Sequence, residues 1–408
     1  MSRRSTCRVC GKAIAPFMTF GRMPLANGFM HPAGSGGTFV YELTPAVCEA
    51  CGTFQLIEQP PPGRMFHADY PFFTGTSSRM REHFRELAID ARRRIGGATA
   101  RAVEVGSNDG TLLAYLAAEG FVACGVEPSA NVAAVARAKG LDVVDGFFTP
   151  AAAQSLRDAG GPVDLVVGAN VICHIADIHG VMQAVDVLLS PSGLFIFEEP
   201  FLGDMLDLCA YDQIYDEHVF MWSATAIAHL VSAHGFVLVD VQHQPTHGGS
   251  LRYVVARHGS RAPAASVAQQ LDAERLAGLG DPERYVRFRR DCEAARDELV
   301  DALRRLRADG RRVAGYAATS KSTTVLNYAG IGPELIAYIA DSTPAKHGTT
   351  TPGTHIPVVP VEHFHRRPPD CAVLFAWNHA AEIYAKERAF VDGGGKWITF
   401  VPTVSMHG

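Results

Sequence analysis

The chain has no long apolar run: nowhere in its 408 residues does a stretch approach the roughly 18 apolar residues that a membrane span needs. It has no basic excess either. A formal net charge of −5 argues against a dedicated nucleic-acid binder, whose surplus runs the other way. No apolar segment precedes the first cysteines in residues 1–10, MSRRSTCRVC, so no secretory leader is expected. Nine cysteines are present, and Cys124, Cys173, Cys209, Cys292 and Cys371 lie in apolar segments. Scattered thiols of this kind suit a reducing compartment, and the cytoplasm is the expected location. With 47% hydrophobic and 19% charged residues the composition is that of an ordinary globular protein. The length calls for two or three domains.

Regularly spaced glycines are also missing. Residues 101–110, RAVEVGSNDG, read as a buried strand running into a tight turn and then a helix over 111–118. Gly106 and Gly110 allow close approach of backbone to a ligand. The spacing Glu104-x-Gly106 departs from the three-glycine dinucleotide fingerprint. A second strand over 122–126 ends in Glu127, placed to accept from ribose hydroxyls, and Asp145 follows a further short apolar run. From these residues alone, a doubly wound domain that binds another nucleotide, or none, stays open.

Cys7-x-x-Cys10 and Cys48-x-x-Cys51 form two knuckles, each followed by a glycine. Two such turns can aim four thiolates at one tetrahedral zinc, and four thiolates leave no position for water, so the ion would be structural. A redox pair or coincidence is the alternative. After the knuckles, a proline- and aromatic-rich loop through Tyr70, Phe72 and Phe73 precedes a helix over 80–95, capped near Ser77 or Ser78. The loop reads as a lid over a pocket or as packing between domains.

Further strands are expected at 163–168, ending at Asn170 and His174, and at 194–197, ending at Glu198 and Glu199. Two closely spaced strands, 237–241 and 251–256, flank His247, Gly248 and Ser250. Between the fifth and sixth strands lies Tyr211–Phe220, YDQIYDEHVF, followed by a helix over 223–233. Histidine beside carboxylates suits a general base; acids at a solvated helix start are the bland alternative. Residues 262–308 suggest two connecting helices. A second α/β unit opens at Arg312, with a small polar loop over 318–324 carrying Lys321 and a helix over 325–329. That loop is a possible phosphate cradle without Walker spacing.

The strand-and-loop series resembles the class I S-adenosylmethionine (SAM) methyltransferases. The whole chain is similar to the bacterial sugar C-methyltransferases acting on nucleotide-linked 4-keto-deoxyhexoses, carried by EVGSNDG, NVICHI, YDQIYDEHVF, HGGSLRY, GYAATSKSTTVLNYAGI and AWNH. The resemblance implies an α/β architecture of four parts: a zinc-binding module over 1–66, a SAM domain over 67–258 with a seven-stranded doubly wound sheet, a helical connector over 259–309 and a Rossmann-like sugar-nucleotide domain over 310–408. It implies C-methylation, at C3 of the hexose, in deoxysugar or antibiotic biosynthesis; C5 methylation and a SAM-dependent O- or N-methyltransferase are the alternatives. His218 would be the base, with Glu217 and Tyr215 beside it, His174 facing the enolate and Tyr70 in the lid. Glu104, Gly106, Asn108, Gly110, Glu127, Asp145 and Asn170 would hold SAM. His247, Gly248, Ser250 and Arg252 would meet the sugar nucleotide from one side, and Ser320, Lys321, Thr323 and Asn327 from the other. Cys7, Cys10, Cys48 and Cys51 would hold the zinc. The resemblance further implies a monomer with a small-molecule substrate and neither nucleic acid nor membrane as partner. Phe72 stands where the compared members carry a hydroxyl-bearing aromatic, a departure that Tyr70 could offset.

Overall fold

The computed structural model describes residues 4–31, 39–68, 70–97 and 99–408. Apolar runs rich in Val, Leu and Ile, unbroken by polar alternation, can be buried on both faces. Such a run makes up most of β4 Val163–Ala169, and the sheet is completed by β1 Ala100–Val105, β2 Phe121–Glu127, β3 Asp142–Asp145, β5 Leu189–Pro200, β6 Phe236–Gln244 and β7 Ser250–Arg257. Across the sheet the order is β3-β2-β1-β4-β5-β7-β6. β1 to β5 are parallel, and β7 is antiparallel to both β5 and β6. This is the class I SAM methyltransferase fold. Strand order reverses between β1 and β4, and ligands of open sheets bind outside the carboxyl ends at such a point.

The expected N-terminal unit does not close on itself. Its four-stranded sheet joins Ala15–Pro16, Pro45–Val47 and Phe54–Leu56 to Phe220–Met221, borrowed from the far end of the YDEHVF segment. The zinc-type module is thereby hydrogen-bonded to the segment that carries the candidate base. The connector is two helices, Ala265–Leu276 and Pro282–Ala308, the second capped by Asp281. Phe17 packs on Tyr285 of that second helix, with ring centroids 5.3 Å apart.

The C-terminal sheet comprises β8 Val313–Tyr316, β9 Ile339–Asp341, β10 Val358–Pro360, β11 Cys371–Leu374, β12 Lys396–Thr399 and β13 Ser405–His407. Its order is β10-β9-β8-β11-β12-β13, with only the last pair antiparallel. The polar loop expected over 318–324 is shorter than that: the helix is Ser320–Ala329, because Thr319 caps it by accepting from the Ser322 amide. Serine and threonine read as loop formers, but behind a cap they complete the first helical turns. One continuous buried cluster runs through all of these parts, from Cys7 to Val401.

Gly106 adopts φ +67°, and a Cβ there would lie 2.5 Å from Val171 Cγ2. Gly106→Ala combines left-handed strain with this clash and should destabilise by about 1–3 kcal/mol. Thermal denaturation should show a midpoint lower by several degrees; an unchanged midpoint would mean that the β1 and β4 loops are free to separate.

Candidate active site

The two knuckles meet as matched turns. Gly11 and Gly52 lie at φ +73° and +70°, and their amides donate to the carbonyls of Cys7 and Cys48. The four sulfurs lie within 4.8 Å of one another, with Cys7–Cys51 at 3.6 Å and Cys10–Cys48 at 3.4 Å. Four converging thiols suit one tetrahedral zinc. Gln55 Nε2 donates to Cys7 Sγ at 3.1 Å, and Gln55 pairs with Phe220 across the shared sheet.

At the crevice between β1 and β4, Glu127 accepts from the amides of Asn108 and Ser129, both at 2.8 Å. Each carboxylate oxygen keeps a lone pair for a ribose hydroxyl. Glu104 is buried, and its Oε2 has no partner among the described residues; neither does Asn170 Oδ1. Orphaned buried polar atoms are rare, and at a glycine-lined crevice they fit a polar ligand such as SAM. Asn108 also holds the lid, accepting from the Thr74 amide and donating to the Phe72 carbonyl. Asp109 accepts from the Gly75 amide. Asn131 exchanges two hydrogen bonds with the backbone of Tyr70. Gly110 is packed so closely that a Cβ would lie 2.4 Å from Leu141 Cδ1. Asp145 pairs with Glu127 across β2 and β3, and its side chain is 63% exposed and paired with Arg137.

The insertion is the most buried polar stretch of the protein. Every residue from Tyr211 to Met221 is at most 7% exposed, so the solvated helix start is excluded. His218 Nδ1 donates to the Gln213 carbonyl at 2.8 Å, which leaves Nε2 to accept from the Tyr215 hydroxyl at 2.9 Å. Burial, reinforced by His174, pushes the His218 pKa far down and keeps the ring neutral. His174 stacks on His218 with centroids 5.3 Å apart, and on Phe66 from the other side. Burial lowers its pKa to about 3, and its Nε2 has no partner. Glu217 accepts from Asn27 Nδ2 at 2.7 Å and from the Tyr70 hydroxyl at 3.1 Å, yet burial still raises its pKa to about 7. Tyr70 thus reaches the acids, whereas Phe72 is 51% exposed. Asn27 was not anticipated, since nothing in its local sequence signals a contact 190 residues away.

Several residues expected on substrate spend their polar atoms on the protein instead. Arg252 is buried in ion pairs with Glu198 and Asp90. Ser250 donates to the Thr246 carbonyl. Thr323 donates to the Ala26 carbonyl, and Asn327 donates to the carbonyls of Thr323 and Pro352. These hydroxyls and amides tie loops together because their donors lie inside the interface. Gly248 packs against the Trp377 indole, where a Cβ would be 2.3 Å away. His247, at φ +57°, lines a small cavity with Met80, Phe84 and Asn170. Ser320 donates to Asn27 Oδ1 at 3.0 Å. Lys321 differs: its Nζ is buried without a hydrogen-bond partner, 5.1 Å from the Trp377 ring centroid. Trp377 Nε1 donates to Asp212 at 2.7 Å.

The C-terminal unit repeats the grip of the crevice between β1 and β4. Ala317, at φ +70°, donates its amide to the Ala340 carbonyl as Gly106, at φ +67°, donates to Val126. Asp341 then accepts from the amides of Ala318 and Thr343, both at 2.7 Å, as Glu127 does from Asn108 and Ser129. Beside Asp341 lies a cavity of about 270 Å³ lined by Pro344, His347, Val361, Glu362, His365 and Lys386.

Over 97% of its length and 95% of the relative's, the chain is 32% identical to C-methyltransferase NovU of Streptomyces niveus. The chain belongs to the C-methyltransferase family. Family models agree: a C-methyltransferase C-terminal domain matches residues 245–402, a methyltransferase domain residues 80–241 and a zinc binding domain residues 7–66. A shorter likeness, 30% over 126 residues, spanning 30% of the chain and 48% of the relative, is to a ubiquinone biosynthesis O-methyltransferase of Caulobacter sp. (strain K31). Among solved structures, YcgJ of Bacillus subtilis is 14% identical with a TM-score of 0.35, over 44% of this chain and 100% of its own. Magnesium protoporphyrin IX methyltransferase of Synechocystis is 14% identical with a TM-score of 0.33, over 43% of this chain and 79% of its own. The protein is therefore a SAM-dependent C-methyltransferase. Among the described residues no helix is long and apolar enough to cross a membrane.

For this C-methyltransferase, Cys48→Ala should lower both metal content and the thermal midpoint, because structural zinc sites contribute to folding. A variant with a native midpoint would remove the metal from the fold. With His218 neutral and Glu217 titrating near pH 7, kcat/KM should rise with pH through an apparent pKa near 7. Glu217→Gln should flatten that limb; a limb unchanged in the variant would assign it elsewhere.

Proposed function

We propose that this C-methyltransferase acts on a nucleotide-linked 4-keto-deoxyhexose, with thymidine as the nucleoside favoured by the family resemblance, and that it methylates C3. The observation that carries the reading is the second nucleoside-type grip at Asp341, in addition to the one at Glu127. One cradle suits the methyl donor, and the other suits the substrate's nucleoside. The cavity beside Asp341 would take the base, and the N-terminus of helix Ser320–Ala329 with the unpartnered Lys321 would take the diphosphate. The assigned domain ranges, SAM at the 104–110 and Glu127 loops, zinc at the four cysteines and a monomeric state belong to the same reading.

The chemistry follows from the neutral His218. A ketone acidifies the hydrogen on the neighbouring carbon, and His218 Nε2 removes it as Tyr215 yields that position. The new positive charge on the imidazole is stabilised through Nδ1–H on the Gln213 carbonyl. The C–H electron pair becomes an enolate whose oxygen faces His174, where a neutral donor meets charge that develops only during the reaction. Bound SAM supplies an electrophilic methyl group to the enolate carbon. The lid, fastened by Asn108, Asp109 and Asn131, and the buried loop exclude water that would simply reprotonate the enolate. Tyr70 and Glu217 complete the wall beside the base.

His218→Ala should lower turnover by roughly 100-fold or more, the scale of a lost general base. In heavy water, wild-type enzyme should exchange deuterium into substrate next to the ketone, and mass spectra of products from a panel of 4-keto sugar nucleotides should locate the methyl on C3. A near-normal rate in the variant, or a methyl group on oxygen, would overturn the reading.

A further inference from the structure

We propose that Asn27, a residue of the N-terminal module, is a positioning residue of the active site: its amide orients the Glu217 carboxylate and joins it to the C-terminal unit. The inference rests on the placement of Glu217 at the reaction site proposed above.

The geometry is specific. Asn27 Nδ2 donates to Glu217 Oε1 at 2.7 Å, a charge-assisted bond when Glu217 is ionised. Asn27 Oδ1 accepts from the Ser320 hydroxyl at 3.0 Å. Because that oxygen is already occupied by a donor, the amide cannot flip without facing its own NH₂ with the hydroxyl and its oxygen with the carboxylate. Ser320 therefore fixes which end of Asn27 meets Glu217. The preceding residue is clamped in the same way, with the Ala26 amide donating to Asp216 and its carbonyl accepting from Thr323. Both joints connect the N-terminal module to the catalytic loop and the C-terminal helix at once.

Glu217 needs such a donor. Its charged and titratable surroundings are Tyr41, Tyr70, Cys173, Tyr215, Asp216, the neighbouring His218 and Lys346. Of these, Tyr70 favours the carboxylate by hydrogen bonding and Lys346 by charge. Asn27 is the other group that donates to it. Without the amide, burial would push Glu217 further toward its protonated form at neutral pH.

The test is the pH dependence of kcat/KM in the full-length enzyme. Asn27→Ala should move the acid limb upward by roughly one unit or more, the size expected for losing one hydrogen bond to a charged group. Asn27→Asp, the same shape with a carboxylate in place of the donor, should move it further. Thr323→Val loosens the same junction without touching Glu217; it should lower the thermal midpoint and leave the limb in place. An unmoved limb in both Asn27 variants, or an equal shift in Thr323→Val, would overturn the proposal. If Glu217→Gln itself left the rate and the limb unaltered, the placement of Glu217 at the reaction site would be the part that fails.

Discussion

Complete burial of an ionisable loop is the constraint on which the rest of the protein depends. Tyr211 to Met221 carries two aspartates, a glutamate, a histidine and two tyrosines with almost no solvent contact. Leaving any of these groups unpaired in such a place costs several kcal/mol. Other parts of the chain bring donors to it: Ala26 and Asn27 from the N-terminal module, Tyr70 from the lid, Trp377 and Thr324 from the C-terminal unit, while Tyr211 Oη, Asp212 Oδ1 and Gln213 Oε1 keep no partner among the described residues. The same burial keeps His218 and His174 neutral and lifts Glu217 to about pH 7, which is the electrostatic condition that carbon deprotonation needs.

This explains why the N-terminal module is built into the enzyme and not merely attached. The sheet beside the cysteine cluster takes Phe220–Met221 as its edge partner, and Gln55 connects a cysteine sulfur to that pair. A metal held by the knuckles would also fix the backbone two residues beyond the candidate base. Structural and catalytic roles are separated in distance by one strand.

The two α/β units share more than a class. Each places a left-handed residue after its first strand and an acid at the end of its second, and each acid accepts from one amide of the first loop and from the amide two residues beyond itself. In the first unit the left-handed residue is Gly106. In the second it is Ala317, where side-chain strain is tolerated inside the tight packing around β8. Glu104 Oε2, Asn170 Oδ1 and His174 Nε2 in the first unit and Lys321 Nζ in the second are buried without a hydrogen-bond partner.

The sequence by itself determined the sheet, because a buried parallel strand leaves an apolar run and a glycine turn wherever it occurs, and it determined the knuckles, the acid at Glu127 and the candidate base. These are local signatures, each set by a few neighbouring residues. Only the tertiary structure decided what each polar side chain faces. Arg252, Ser250 and Thr323 look available in sequence yet are bound inside, while Asn27 looks idle and touches the Glu217 carboxylate. Helix Ser320–Ala329 begins five residues before its apolar pattern because a cap, not a period, starts it. A hydrogen bond between residues 190 positions apart has no period or spacing to announce it; it arises from packing three parts of the chain around one dry loop.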